Sequence, residues 1–241
     1  MKTKLLLLLF VVTISFGQQR TCGTDAYMEK MLSNPEMKQQ YLELQKQFES
    51  ELERLTNAQQ KRDGNATFST NATIRIPVAI HYPNVVNTSA ESVKSCLRLL
   101  AQKQVAILNA DYNATNSDLS LWTAASTYYP GVNIGDMDVS GEIATQNHPS
   151  SAGLTNGTLA VTFGTHFLTG DIDPEWAGYC NLVVKSLSGG ILGYSPLAGS
   201  PSQGMTVVMD NNAFGATMTG SPATCSGYVP GAPYNLGRTL T

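Results

Sequence analysis

Three hydrophobic spacings divide the chain, and each predicts a different kind of element. Leu5 to Phe16 is an apolar run, interrupted only by Thr13 and Ser15, behind Lys2 and Lys4. From Thr21 to Asn57 the apolar positions thin out to Tyr41, Leu44, Phe48, Leu52 and Leu55, at near-helical intervals among many charges. That spacing predicts a long amphipathic helix with a narrow apolar stripe, which Thr24 or Asp25 can cap and which Pro35 interrupts early. Ile74-Arg-Ile-Pro-Val-Ala-Ile-His-Tyr82 then alternates, with Ile74, Ile76, Val78 and Ile80 on one face and His81 on the other. Alternation predicts a strand, and the proline places it near an edge or at its own start.

Helical spacing returns from Ser89 to Asn109. Ser89 is a natural cap, and Val93, Leu97, Leu100, Gln104, Ile107 and Leu108 trace one side. Ala114 to Pro130 reads as a loop anchored by Leu119, Leu121 and Trp122. Strands are predicted at Leu159-Ala-Val-Thr-Phe163, at Cys180-Asn-Leu-Val-Val-Lys185, in the glycine-rich Ser188-Gly-Gly-Ile-Leu-Gly-Tyr194, and at Met205-Thr-Val-Val-Met209. Asp210 to Gly215 punctuates the last of these. Gly231-Ala-Pro-Tyr-Asn-Leu-Gly-Arg-Thr-Leu-Thr241 reads as a turn followed by the opening of a helix. The predicted fold class is α/β, strands and a helix preceded by a long helix.

The apolar run at the start is short for a bilayer span and follows two lysines, the layout of a secretory signal ending near residue 18. A membrane anchor is the competing reading. Gln19-Arg20-Thr21 before Cys22 is polar where a lipoprotein signal carries small apolar residues, so the chain is read as secreted. Loss of a leader would remove Lys2 and Lys4 and leave a net charge of about −5. Charged residues make up 14% of the chain without a basic stripe, so nucleic-acid binding has no electrostatic footprint. Four cysteines, Cys22, Cys96, Cys180 and Cys225, are too few for a disulfide-built scaffold and contain no CxxC. Outside the cytosol some can pair, three full pairings being open, and burial as a small apolar group is the expectation for Cys96. Five Asn-x-Ser/Thr sequons begin at Asn65, Asn71, Asn87, Asn113 and Asn156.

Leu192-Gly-Tyr-Ser-Pro, Val207-Val-Met-Asp-Asn-Asn-Ala-Phe-Gly215 and Pro233-Tyr-Asn-Leu-Gly-Arg-Thr-Leu-Thr241 together resemble the pappalysin-type metzincins, secreted zinc metallopeptidases of bacteria and archaea. The resemblance runs from Ile74 to Thr241 and implies an α/β, metzincin-like N-terminal subdomain: a twisted, mixed, mostly parallel sheet with Ser89 to Asn109 as its backing helix, preceded by a long prosegment helix. In that family an Asn-Leu-Gly-Arg-Thr segment leads into a His-Glu-x-x-His helix. This sequence has no such motif, and its histidines, His81, His148 and His166, include no pair at the i, i+4 spacing that puts two imidazoles on one helix face. No catalytic residue can therefore be named in this chain, and the zinc of the family would be held by residues outside it. The expectation is a piece truncated before the zinc motif, inactive alone. Its segments would be a signal peptide over 1–18, a helical prosegment over 19–58, a linker over 59–73 and a partial catalytic domain over 74–241. Lys61-Arg-Asp-Gly-Asn65 would be a site of maturational cleavage. The rival class is a secreted binding or adhesion protein that reuses the fold without metal.

The resemblance supplies two site expectations. Arg20-Thr-Cys-Gly-Thr-Asp25 resembles the cysteine-switch signature, in which a thiolate takes the open position of a catalytic zinc in the zymogen. Cys22 would be that ligand; a disulfide partner or an idle thiol are the alternatives. Gly190, Ile191, Leu192 and Gly193 correspond to the strand that edges the metzincin cleft, along which a peptide substrate pairs antiparallel. Calcium is the remaining metal to test. Asp136, Asp138, Ser140 and Gly141 fit the first positions of a calcium loop, but Asn147 stands where a bidentate glutamate is wanted, so a solvated turn is the better reading. Gly170-Asp-Ile-Asp-Pro-Glu175 is a second acidic turn of the same standing. No Gly-x-Ser-x-Gly, Walker or Rossmann motif is present.

Overall fold

The structure is a computed structural model and describes residues 21–60, 73–132, 134–135, 137–196, 203–217 and 224–240. The expected signal peptide, Arg20, most of the linker with Asn65 and Asn71, Asp136 and Thr241 lie outside the described residues.

Seven strands form one sheet in the order β1-β6-β7-β5-β2-β3, with β4 also on β2. They are β1 (Thr21–Cys22), β2 (Ile74–Tyr82), β3 (Val139–Ile143), β4 (Val161–Phe163), β5 (Cys180–Lys185), β6 (Ile191–Tyr194) and β7 (Thr206–Asp210). Only the β6–β7 pair is antiparallel, so the sheet is mixed and mostly parallel as expected. The helices are α1 (Thr24–Ser33), α2 (Pro35–Gln60), α3 (Glu91–Tyr112) and α4 (Ser120–Ala125).

Pro35 does divide the N-terminal helix, because a ring at the first helical position is tolerated where a mid-helix one is not. The caps differ from expectation. Gly23, not Thr24 or Asp25, precedes α1, and Ala90, not Ser89, precedes α3, neither with a side-chain cap bond. Leu42, Phe48 and Leu52 of α2 are exposed.

Strand β2 has two regimes. Its first half pairs only with β3, so the missing N–H of Pro77 breaks no ladder on the other side, where β5 joins from Val78 onward. The same geometry leaves Ile74 63% exposed, whereas Val78 and Ile80 are buried, which corrects the expectation of one continuous apolar face. From Val78 to Tyr82 both faces are covered.

On one face Val78, Ile80 and Tyr82 pack with Leu97, Leu100 and Ala101 of α3, and with Leu182, Val184, Met209 and Phe214. The Tyr82 hydroxyl donates to Leu97 O at 3.1 Å, satisfying the one polar atom the ring carries inward. On the other face Ala79, Val183 and Val208 pack with Phe167, Trp176 and Tyr179. The backing helix is thus α3, as expected, though Val93 is exposed and Val105 takes the inward place.

Cys96 is not a buried thiol but is disulfide-bonded to Cys225, with Cα atoms 6.0 Å apart, tying α3 to the turn after β7. Two further segments correct the sequence reading. The acidic stretch around Asp138 enters strand β3, and Leu121, expected as an anchor, stands 67% exposed on α4. Among the described residues no helix is long and apolar enough to cross a membrane.

Candidate functional site

The expected substrate strand begins with Gly189 and Gly190, whose φ values of 71° and 73° fall in the left-handed region that favours glycine. Of the four candidate rail residues, Ile191, Leu192 and Gly193 lie in β6, and Gly190 is the turn that feeds it. A Cβ on Gly193 would meet Val208 O at 2.6 Å, so glycine there is what lets β6 approach β7.

The edge of this strand is already paired. Thr21 aligns with Ile191 and Cys22 with Gly193 in parallel, and Gly23 N donates to Gly193 O at 2.8 Å. Gly23 lies close against the rail, since a Cβ there would come within 2.8 Å of Ile191 Cγ2. The Cys22 thiol is exposed and donates to Thr24 Oγ1 at 3.2 Å, while Thr24 Oγ1 also accepts from Ser195 N at 3.2 Å. The rail is therefore not a bare edge among the described residues. The N-terminal segment covers it, and no local signal predicts a pairing between residues some 170 positions apart.

Beyond the paired residues α1 turns across β6. Met28 and Met31 are buried, and the Tyr27 ring stacks on Tyr194 with centroids 5.0 Å apart and planes 23° from parallel. The Tyr194 hydroxyl donates to Asp171, whose two carboxylate oxygens lie 3.2 and 3.1 Å away, and Lys185 Nζ is 2.9 Å from Asp171 Oδ1. Burial, then the Asp171 charge, raises both tyrosine pKa values, so each phenol stays protonated and Tyr194 is a donor at neutral pH. A groove of about 650 Å³ runs along this seam.

The three histidines are not brought together as a metal site. His81 is fully buried between Thr162 Oγ1 (2.8 Å from Nδ1) and Asn181 Oδ1 (3.2 Å from Nε2). His148 meets Thr158 O. His166 joins Asp173 and Glu175 in a cluster whose potential ligand atoms lie within 4.8 Å of one another. Its chemistry is that of a turn. His166 Nδ1 is 3.0 Å from Asp173 Oδ2, Asp173 Oδ1 accepts from Glu175 N at 3.1 Å, and Glu175 meets Ser151. A metal on Nδ1 would force the proton to Nε2, which is buried without a partner among the described residues. These residues do not fit a catalytic zinc.

The stretch read as a solvated turn rather than a calcium loop instead enters strand β3. Ser140 and Gly141 are strand residues paired with Arg75 and Ile76, and Gly141 N and O both bond to Asn109. Asp138, at a left-handed φ of 48°, accepts from Thr73 Oγ1. In the second acidic turn Asp171 and Asp173 are committed as described above.

The last segment is the clearest correction: Gly231 to Leu240 forms turns, not a helix opening. Gly237 has φ 77°, and the buried Gln104 holds it from α3, donating through Nε2 to Gly237 O at 2.6 Å and accepting from Gly215 N at 2.9 Å. Arg238 grips Asp118 through both terminal nitrogens and lies 3.1 Å from Asp111. Gln104→Leu leaves two buried backbone groups without partners and is expected to lower stability by about 2 kcal/mol in urea unfolding. A change within experimental error would show that the segment is held by other contacts.

No protein-family model matches the chain, and no curated protein sequence matches it. Solved structures do. The chain is similar to a mutant of promirolysin from Tannerella forsythia, with 20% identity and a TM-score of 0.50, over 92% of this chain and 66% of that one. It is also similar to mirolysin in complex with compound 9, with 22% identity and a TM-score of 0.45, over 70% and 60%. Both are pappalysin-type metzincin metallopeptidases. The likeness to the promirolysin chain shows the metzincin-like fold expected of this one, which spans just under two thirds of that chain.

Proposed function

We propose that this chain is the N-terminal part of a secreted metalloendopeptidase precursor. In this reading residues 1–18 are a leader, 19–58 a prosegment, 59–73 a linker and 74–241 the first part of the catalytic domain. The observation that carries it is the occupied rail: a chain that must stay latent has its own Thr21–Gly23 paired where an extended peptide would add a strand. Ile191 to Gly193 would hold substrate through backbone groups once that segment leaves, and Cys22 is carried forward as the cysteine-switch thiol. Zinc belongs to the full-length enzyme of this reading, and because the residues described above do not supply its site, no catalytic step is derived through it. The second reading is a secreted binding or adhesion protein that reuses the fold without hydrolysis.

The test removes the prosegment's bond, sets a Cβ against Ile191 and leaves the sequence of the rail unchanged. Gly23→Pro deletes the N–H that donates to Gly193 O. A fluorescent extended peptide is expected to bind this variant about tenfold more tightly than the parent chain. Equal affinities would remove the occupied-rail reading.

A further inference from the structure

We infer that Tyr194, held in place by Asp171 and Lys185, is the floor of a side-chain subsite beside the rail, and that this subsite takes an aromatic side chain of a bound peptide. The inference rests on the rail reading above and adds to it what the rail selects.

Backbone pairing along β6 holds any extended peptide, so discrimination must come from the side chains that flank the strand. Tyr194 is the last residue of β6, and its ring is unusually fixed for a half-buried tyrosine. Its hydroxyl meets both oxygens of Asp171, and Lys185 holds that carboxylate from β5. A fixed ring offers stacking area without the entropy loss of ordering it on binding. The face is already in use, since Tyr27 lies on it with planes 23° from parallel. Tyr27 arrives from the same segment whose Gly23 bonds to Gly193, so one piece of chain occupies both the backbone rail and the aromatic face.

The wall that would remain without α1 sets the ligand chemistry. Gly170, Asp171, Ile172, Ile191 and Tyr194 border the groove from the sheet side, and Lys30 enters it only from α1. Among these, only Asp171 could attract a cation, and Lys185 neutralises it at 2.9 Å. An arginine or lysine side chain would therefore lose hydration for a carboxylate that is already paired. A flat apolar ring keeps the stack that Tyr27 now makes and gives up no charge. Gly170 has φ 83° and no atom within 4 Å of a Cβ position, so that side of the groove is open.

The experiment uses the whole chain carrying Gly23→Pro and Tyr27→Ala, which frees the rail and the ring face together. Three extended peptides differing at one position, as phenylalanine, alanine or arginine, are titrated by fluorescence polarisation. The phenylalanine peptide is expected to bind about tenfold more tightly than the alanine peptide, and the arginine peptide no more tightly than alanine. Adding Tyr194→Leu is expected to bring phenylalanine and alanine to within about twofold of each other, whereas Tyr194→Phe, which keeps the ring, preserves most of the preference. Equal binding of phenylalanine and alanine overturns the subsite and leaves the rail standing. A preference for arginine overturns the aromatic assignment. Failure of every peptide to bind overturns the rail, and the subsite with it.

Discussion

Replacing Cys96 and Cys225 with alanine is expected to lower the stability of the chain by about 3–5 kcal/mol. The bridge spans 129 positions, so in the denatured chain it closes a long loop and removes a large share of its conformational freedom. In the folded chain it joins α3, which backs the sheet, to the turn that carries Cys225 and the buried Tyr228 against Tyr82. Cys22 and Cys180 are free, so the double variant leaves no orphaned partner. Cys180 is also a poor exchange nucleophile, because burial pushes its thiol pKa up. Urea unfolding of the oxidised parent and the double variant gives the comparison. A difference below about 1 kcal/mol would mean that the tertiary contacts already restrain the two elements without the bond.

Acid is expected to weaken the fold through His81. Its ring is fully buried among Phe167, Trp176 and His166, with centroids 4.4 Å, 4.7 Å and 6.4 Å away. Desolvation lowers its pKa to about 3, opposed by the hydrogen bond to Asn181, while the nearby His166 adds to the lowering and Asp173 opposes it. A base whose folded pKa is depressed contributes stability that is present above its unfolded pKa and lost as pH falls toward the folded value. The window here is therefore about pH 6.5 down to about 3, with a loss of roughly 3 kcal/mol by pH 4 relative to pH 8. Urea midpoints across that range should fall with a slope of about one proton, and a His81→Gln variant should show a shallower slope. The His81 ring signals in NMR should not move between about pH 8 and pH 4.5 in the folded chain. Titration of that ring near its ordinary pKa would show that the site is wet and the effect absent.

Strands β2 and β5 could be read from the sequence, with their bounds, because their patterns are set by burial that acts locally: Val78 and Ile80, or the run Leu182 to Val184, have one kind of environment each. Strand β3 could not. Its five residues contain a glycine, a serine and a glutamate, and it is a strand because Asn109 and β2 bond its backbone, not because its side chains prefer it. The terminal helix opening failed for the opposite reason. Residues Asn235 to Leu240 have a tolerable local preference, but Gln104 and the two aspartates on Arg238 fix them as turns. The disulfide was one of several pairings the sequence left open, and only the approach of α3 to the turn at Cys225 chose among them.

By itself the sequence determined the α/β class, the helix from Ser89 to Asn109 and the break at Pro35, because periodicity and proline placement are properties of short stretches, whereas the rail from Gly190 to Gly193 is an expectation carried by the family resemblance. What covers that rail was decided by tertiary structure alone. The pairing of Thr21 and Cys22 with β6, and the stacking of Tyr27 on Tyr194, join residues that are neighbours only after the whole sheet has formed. Contacts of that range are selected by the shape and free edges of the folded core, and no window of local sequence carries them.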